Sequence, residues 1–231
     1  MGIFDRLKGG LIVSCQAQPD EPLHGSSIMA AMARAAAQAG AAGIRAEGPA
    51  DVRAIRQAVD LPILGLYKIK QPDHPVYITP TFESARAIAA AGADAIALDA
   101  TTERRPDGLT LEETIRRIHD ELQLPVMADV STLEEGLRAE RLGADVVGTT
   151  LSGYTPQSPQ QEEPDWRLLQ DLISQVRIPV VMEGRIWEPA QARRALELGA
   201  WAVVVGSAIT RPQLIAARFA AAVRAADVAH R

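Results

Sequence analysis

Apolar residues fall in short dense runs along this chain, and each run is followed by a stretch with helical spacing. The first run covers residues 11–15 and is rich in β-branched side chains. Four later runs begin just after a helix that ends on glycine: AGAAGIRAE (39–47), AGADAIALD (91–99), LGADVVGTT (142–150) and LGAWAVVVGS (198–207). Glycine suits the left-handed turn that closes a helix. Three runs of a second kind open on proline: LPILGLYK (61–68), LPVMADVS (124–131) and IPVVMEGR (178–185). Proline fits the start of a strand, where no ladder N–H is needed.

The two kinds alternate, which predicts eight strands, each followed by a helix. Such an alternation calls for parallel strands joined by helical crossovers. The fold class is therefore α/β, a single (β/α)8 barrel of the phosphate-binding type. An open doubly wound sheet is disfavoured, because no GxGxxG loop follows the first strand. One domain over residues 1–231 is expected. It has a short N-terminal helix over 1–8, with Ile3, Phe4 and Leu7 on one face, and a barrel over 11–226. A helix is expected from about Ile28 to Gln38 with Ser26 or Ser27 as its N-cap. The last helix, from about Gln213 to Ala226, is expected to close the outer ring. The irregular stretch TPQSPQQEEPDW reads as a loop after strand six on the active-site face.

In a barrel of this kind the C-terminal strand ends converge on one mouth. The strands here end in Gln16, in Arg45 and Glu47, in Lys68, in Asp99, in Asp129, in Thr149 and Thr150, in Glu183 and Arg185, and in Gly206 and Ser207. The clearest case is VVMEGRIW. A buried strand that delivers a carboxylate and then breaks at glycine is costly unless that end faces a polar cavity. Glu183 is thus a candidate catalytic carboxylate. The phosphate site of such barrels lies in the loops after strands seven and eight, here EGRI and GSAITRP. Gly184, Gly206 and Ser207 let the backbone approach an anion, and Arg185 or Arg211 adds charge.

Composition narrows the chemistry. Of the 231 residues 47% are apolar and 23% charged, and the net charge is −5. That balance argues against a general nucleic-acid or anionic-membrane partner and leaves a small phosphorylated molecule open. No apolar run is long enough to span a bilayer. The N-terminal stretch lacks the apolar core and cleavage pattern of a leader. The single cysteine, Cys15, forms no internal disulfide and reads as a small core residue, which fits a cytoplasmic setting. The histidines His24, His74, His119 and His230 do not cluster, so no metal site is expected. No flavin or nicotinamide fingerprint is present. A metal-free site with one lysine and carboxylates suits proton transfer next to a carbonyl, or a Schiff base.

Read together, SCQA (14–17), GIRAEG (43–48), GLYK (65–68), ITPT (78–81), ALDAT (97–101), MADVS (127–131), GTTLSGYT (148–155), EGRI (183–186) and GSAITRP (206–212) resemble the N-acetylmannosamine-6-phosphate 2-epimerase family. The resemblance runs from about Leu11 to Pro212. It implies cofactor-free interconversion of N-acetylmannosamine 6-phosphate and N-acetylglucosamine 6-phosphate in sialic acid (N-acetylneuraminate) degradation. It also implies Lys68 as the catalytic lysine, Glu183 as its carboxylate partner, and Gln16, Arg45, Asp129 and Arg211 as substrate contacts. The chain departs from the family at Tyr67 and Ile69, where an aliphatic residue and an arginine usually flank the lysine. Two rival readings remain. One is another phosphosugar lyase or isomerase on the same barrel, although the Asp-x-Lys-x-x-Asp pattern of the decarboxylases is missing around Lys68. The other is a phosphosugar-binding protein without catalysis. A homodimer is one way to cover the last helix, through Leu214, Ile215 and Phe219.

Overall fold

The computed structural model describes residues 2–227; Met1 and residues 228–231, His230 among them, lie outside the described residues. Eight strands are present: β1 (Leu11–Cys15), β2 (Gly43–Glu47), β3 (Ile63–Leu66), β4 (Ala95–Asp99), β5 (Val126–Asp129), β6 (Val146–Gly148), β7 (Val180–Glu183) and β8 (Ala202–Val205). All pair in parallel in chain order, and β8 returns to β1 with Val203 opposite Leu11, so the sheet is a closed barrel. The helices are α1 (Ile3–Leu7), α2 (Ser26–Gln38), α3 (Pro49–Ala58), α4 (Phe82–Ala90), α5 (Leu111–Arg117), α6 (Leu133–Arg141), α7 (Trp166–Gln175), α8 (Pro189–Glu197), α9 (Ser207–Thr210) and α10 (Pro212–Asp227). The architecture is the expected (β/α)8 barrel.

Strand side chains alternate between the barrel interior and the helical layer. Val13, Ile44, Ile96, Leu98, Val126, Val180 and Val203 point outward and form one core with the helices. Ile12, Leu64, Leu66, Ala95, Ala97, Met127, Val146, Val181, Ala202 and Val204 fill the interior. Continuing the inward parity upward gives Ser14, Gln16, Arg45, Lys68, Asp129 and Glu183. The polar mouth is thus the top layer of the same alternation that packs the core. At the bottom, α1 places Phe4 and Leu7 into the inner cluster, and the Trp201 indole N–H donates to the Phe4 carbonyl at 2.7 Å. The short helix is a plug for the end opposite the mouth.

Helix starts follow capping chemistry. The hydroxyls of Thr81, Thr110 and Thr132 accept from the backbone N–H three residues on, and the side chain at that third position bonds back to the cap's own N–H. At α2 the expected serine cap is not used: Gly25 is the N-cap, and Ser26 sits inside the helix with its hydroxyl donated to Asp51. Gly25 has φ 138°, a conformation open to glycine and not to serine.

The expectation for the last helix is corrected. α10 does not close the outer ring; residues 216–225 are all exposed, and Phe219 and Val223 stand 71% and 69% accessible. The helix packs chiefly on α9, with Gln213 tied to Glu21, and Arg218 to Glu188 and the Trp187 ring. Alanine makes this segment a good helix without tertiary packing, so its helical pattern does not say where it lies.

Candidate active site

The barrel mouth holds a cavity of about 300 Å³ lined by side chains from six strand ends, among them Gln16, Arg45, Lys68, Thr150, Glu183, Arg185 and Arg211. Arg45 is its electrostatic centre. The guanidinium is 1% exposed and forms a two-pronged pair with Asp129, itself fully buried, at 3.1 and 2.5 Å. Its Nη1 also stands 3.3 Å from Glu183 Oε2. Burial alone would lower the Arg45 pKa, but the two carboxylates outweigh it and raise it, so the charge is permanent. Arg45 Nε is buried without a hydrogen-bond partner.

Lys68 enters from the other side. It lies two residues beyond β3, where the chain pairs back on itself as an antiparallel bridge between Lys68 and Ile78. Its Nζ donates to Gln16 Oε1 at 2.6 Å, and Gln16 in turn donates to Ser14 Oγ at 2.9 Å. The carboxylate nearest Lys68 is Glu47, at 3.9 Å. Burial lowers the Lys68 pKa, helped by Arg45 and Arg211 and opposed by Glu47 and Glu183. Glu183 shifts the opposite way: burial raises its pKa, and Asp129 adds to this against Arg45, Thr150 and Lys68. Both groups are driven toward their neutral forms.

Two threonines fix the backbone beneath these groups. Thr149 Oγ1 accepts the Glu183 N–H at 3.0 Å and donates to the Glu183 carbonyl at 2.7 Å. Thr79 accepts the Tyr67 N–H on its Oγ1 at 3.1 Å, and its own N–H donates to the Tyr67 carbonyl at 2.7 Å. Thr79 does this at φ 45°, an unfavourable conformation for a β-branched residue, while Arg105 binds its carbonyl from behind. Thr150 bridges the acids, with Oγ1 2.7 Å from Asp129 Oδ1 and 3.0 Å from Glu183 Oε2.

The remaining sequence candidates lie at the cavity's far end. Gly184 has φ 110°, and a Cβ on Gly206 would stand 3.3 Å from Ser14 Cβ, so both glycines belong to close turns. Ser207 opens α9. Arg211 lines the cavity with Nε 3.0 Å from Glu21. Arg185 lines it too, but its N–H groups are spent on the Ser152 and Glu163 carbonyls, and Gly153 lacks the Cβ that would strike its guanidinium. Asp99, also expected at the mouth, does not line the cavity; it accepts two hydrogen bonds from Thr101 instead. Cys15 is buried, with its thiol pushed up to about 12 by burial and by Asp51, as befits an inert core residue.

The family model described as "Putative N-acetylmannosamine-6-phosphate epimerase" matches residues 29–225. The chain belongs to this family. A relative from Caldanaerobacter subterraneus subsp. tengcongensis, named "Putative N-acetylmannosamine-6-phosphate 2-epimerase", is 51% identical over 95% of this chain and 93% of its own length. The solved N-acetylmannosamine-6-phosphate 2-epimerase from Clostridium perfringens superposes with a TM-score of 0.93 at 49% identity, covering 95% of this chain and 96% of that one. A thiamine phosphate pyrophosphorylase from Pyrococcus furiosus, at 22% identity and a TM-score of 0.59, shares the fold.

Asp129, expected as a substrate contact, does not line the cavity and lies fully buried against Arg45, while the epimerase-family barrel brings Gln16, Arg45, Lys68, Glu183 and Arg211 to the cavity wall. The barrel also adds lining residues that the sequence reading did not single out: Tyr77, Tyr154 and Trp187. Tyr154 belongs to GTTLSGYT and Trp187 follows EGRI, so both stood beside recognisable motifs. Tyr77 had no signal; it returns to the mouth only because the loop after Lys68 folds back.

Proposed function

We propose that this chain interconverts N-acetylmannosamine 6-phosphate and N-acetylglucosamine 6-phosphate, within N-acetylneuraminate degradation. The observation that carries the reading is the opposition of Lys68 and Glu183. Lys68 follows β3 and Glu183 ends β7, and these strands stand four apart and hence across the diameter of an eight-stranded barrel. Inverting a carbon requires a proton to leave one face and another to arrive on the opposite face. Two acid–base groups on facing walls suit that task.

In the open-chain sugar the hydrogen on carbon 2 is acidified by the aldehyde at carbon 1. One group takes this proton, leaving the electron pair in an enolate spread over carbon 2, carbon 1 and the carbon-1 oxygen. The other group protonates carbon 2 from the far side. A lysine works as a base near neutral pH only if its pKa is lowered, and burial does this for Lys68. A carboxyl works as an acid there only if its pKa is raised, and burial does this for Glu183. Gln16 orients Lys68, and Arg45, held in place by Asp129, contacts the sugar. The phosphate lies against the backbone of Gly184, Gly206 and Ser207, with charge from Arg211. Arg185 adds charge and holds the neighbouring loop. One barrel domain in the cytoplasm carries the reaction, and two copies pair through α10, whose exposed apolar stripe supports this.

The test is proton NMR of N-acetylmannosamine 6-phosphate with the protein in D₂O. The expected outcome is N-acetylglucosamine 6-phosphate carrying deuterium at carbon 2, with turnover abolished in Lys68→Met. A folded protein that leaves the carbon-2 proton intact overturns the reading and favours a phosphosugar binder without catalysis. Cleavage or decarboxylation products would favour a lyase.

A further inference from the structure

Thr150 sits between the two carboxylates of the site, and its hydroxyl carries one proton. Its Oγ1 is 2.7 Å from Asp129 Oδ1 and 3.0 Å from Glu183 Oε2. One proton satisfies one of these contacts. The other sets two lone pairs against each other, unless the second carboxyl itself carries a proton and donates it. Asp129 receives N–H groups from Arg45 on both oxygens, so it is the carboxylate held ionised. It also makes the shorter contact to Thr150. The Arg45–Glu183 approach at 3.3 Å is a charge contact that lacks hydrogen-bond alignment. One guanidinium therefore neutralises Asp129 in full and Glu183 in small part.

We propose that Thr150 is a positioning residue that directs the site's mobile proton to Glu183: its O–H donates to Asp129, and its oxygen accepts the O–H of a neutral Glu183. The inference rests on the reading of Glu183 and Lys68 as the acid–base pair. It deepens that reading by fixing where the proton starts. The charged groups facing Glu183 are Arg45 from β2, Lys68 after β3 and Asp129 from β5, with Thr150 after β6 as the neutral neighbour. With Arg45 and Asp129 cancelling, a neutral Glu183 and a neutral Lys68 leave this four-residue cluster without net charge, with Glu47 and Arg211 at its margin. The half-cycle then balances. The C2–H bond breaks toward Lys68 Nζ, the Glu183 O–H delivers its proton to the other face, and the enzyme is left as lysinium and carboxylate. That form is the one able to accept the opposite epimer.

The experiment compares wild type with Thr150→Val, Thr150→Ser and Glu183→Gln. Infrared spectra at neutral pH are expected to show a carboxylic-acid C=O band in wild type that Glu183→Gln removes. The subtraction separates Glu183 from Asp99, whose carboxyl is also pushed up, to about 6, by burial. The band weakens in Thr150→Val and returns in Thr150→Ser. In D₂O, Thr150→Val is expected to invert at least about tenfold more slowly than wild type. From one epimer, its carbon-2 proton continues to wash out, because Lys68 still removes it and, after exchange with solvent, returns a deuteron on the same face. The ratio of exchange to inversion therefore rises, and Thr150→Ser restores it. Equal loss of exchange and inversion in Thr150→Val, or no band removed by Glu183→Gln, overturns the proposal. If no variant or wild type exchanges the carbon-2 proton, the epimerase reading fails, and the infrared band still reports the proton's place.

Discussion

Each buried charge at the mouth is governed by what its immediate partners supply. Arg45 and Asp129 satisfy each other almost completely, whereas Asp99, one strand away from Asp129, forms no ion pair among the described residues. Arg105 binds the Asp99 carbonyl and not its carboxylate. Burial raises the Asp99 pKa to about 6, although the Thr101 hydrogen bonds pull the other way. A carboxyl whose folded pKa lies above its unfolded value stabilises the fold fully at pH below the unfolded value. It loses that contribution as pH rises through the folded one. Asp99→Asn keeps the oxygen that accepts from Thr101 and removes the charge. Its stability advantage over wild type is expected to grow between pH 4 and pH 7 by up to about 3 kcal/mol. Urea unfolding at both pH values measures it, and an equal advantage at both would contradict a strained carboxylate. Residue by residue, much of the site was legible in the sequence. Gln16, Arg45, Lys68, Asp129 and Glu183 all end strands in phase with inward-facing apolar residues. Asp99 ends its strand in the same way, yet the hydrogen bonds from the Thr101 backbone N–H and hydroxyl withdraw it from the cavity. Strand parity fixes direction, and local hydrogen bonding then decides availability.

At the scale of the element, β3 matters most because Lys68 rides two residues past its end. The strand owes its close fit to Gly65. A Cβ there would come within 2.4 Å of Ile88 Cγ2 and 2.7 Å of Ala93 Cβ, both on the α4 side of the sheet. Neither neighbour is the tip of a long flexible side chain, so the strand or α4 has to move. Gly65→Ala is therefore expected to destabilise the fold by about 1–3 kcal/mol, as overpacked cores do. It should also lower kcat by displacing Lys68 from Gln16. Thermal unfolding and the epimerisation rate measure the two effects, and a variant of wild-type stability and rate would show that α4 yields freely. The sequence revealed β3 and its proline start. It did not reveal that residues 67–79 fold back on the strand, because that return rests on Thr79 at positive φ and on Arg105, thirty-seven residues after Lys68 by number. The α2 cap was missed because glycine took the place expected of serine.

For the molecule as a whole, α10 is the element whose place the barrel does not explain. It is 16 residues long, about 24 Å of helix, and leaves the barrel directly after Arg211. Ile215, Phe219 and Val223 repeat at intervals of four and form one stripe, of which Phe219 and Val223 are exposed. Of the five large hydrophobic residues exposed among the described residues, three lie on α10 and a fourth, Ile209, on α9. An apolar patch concentrated on one protruding element marks an association surface, and a second copy of the chain offers the same stripe in return. The expected solution mass is therefore that of two 24.7 kDa chains. Burying each large apolar side chain contributes about 1.5–3 kcal/mol, so Phe219→Glu with Val223→Glu should remove enough to give monomers. Because dimer stability depends on concentration, the wild-type melting temperature should rise with protein concentration and that of the variant should not. Gly206, Ser207 and Arg211 immediately precede the helix, so the monomer should lose phosphosugar affinity more than turnover, with KM rising while kcat changes little. Sedimentation equilibrium and steady-state kinetics read both outcomes. A wild type that sediments as one chain, or a doubly charged variant that still sediments as two, removes α10 from the interface and leaves its stripe for another partner.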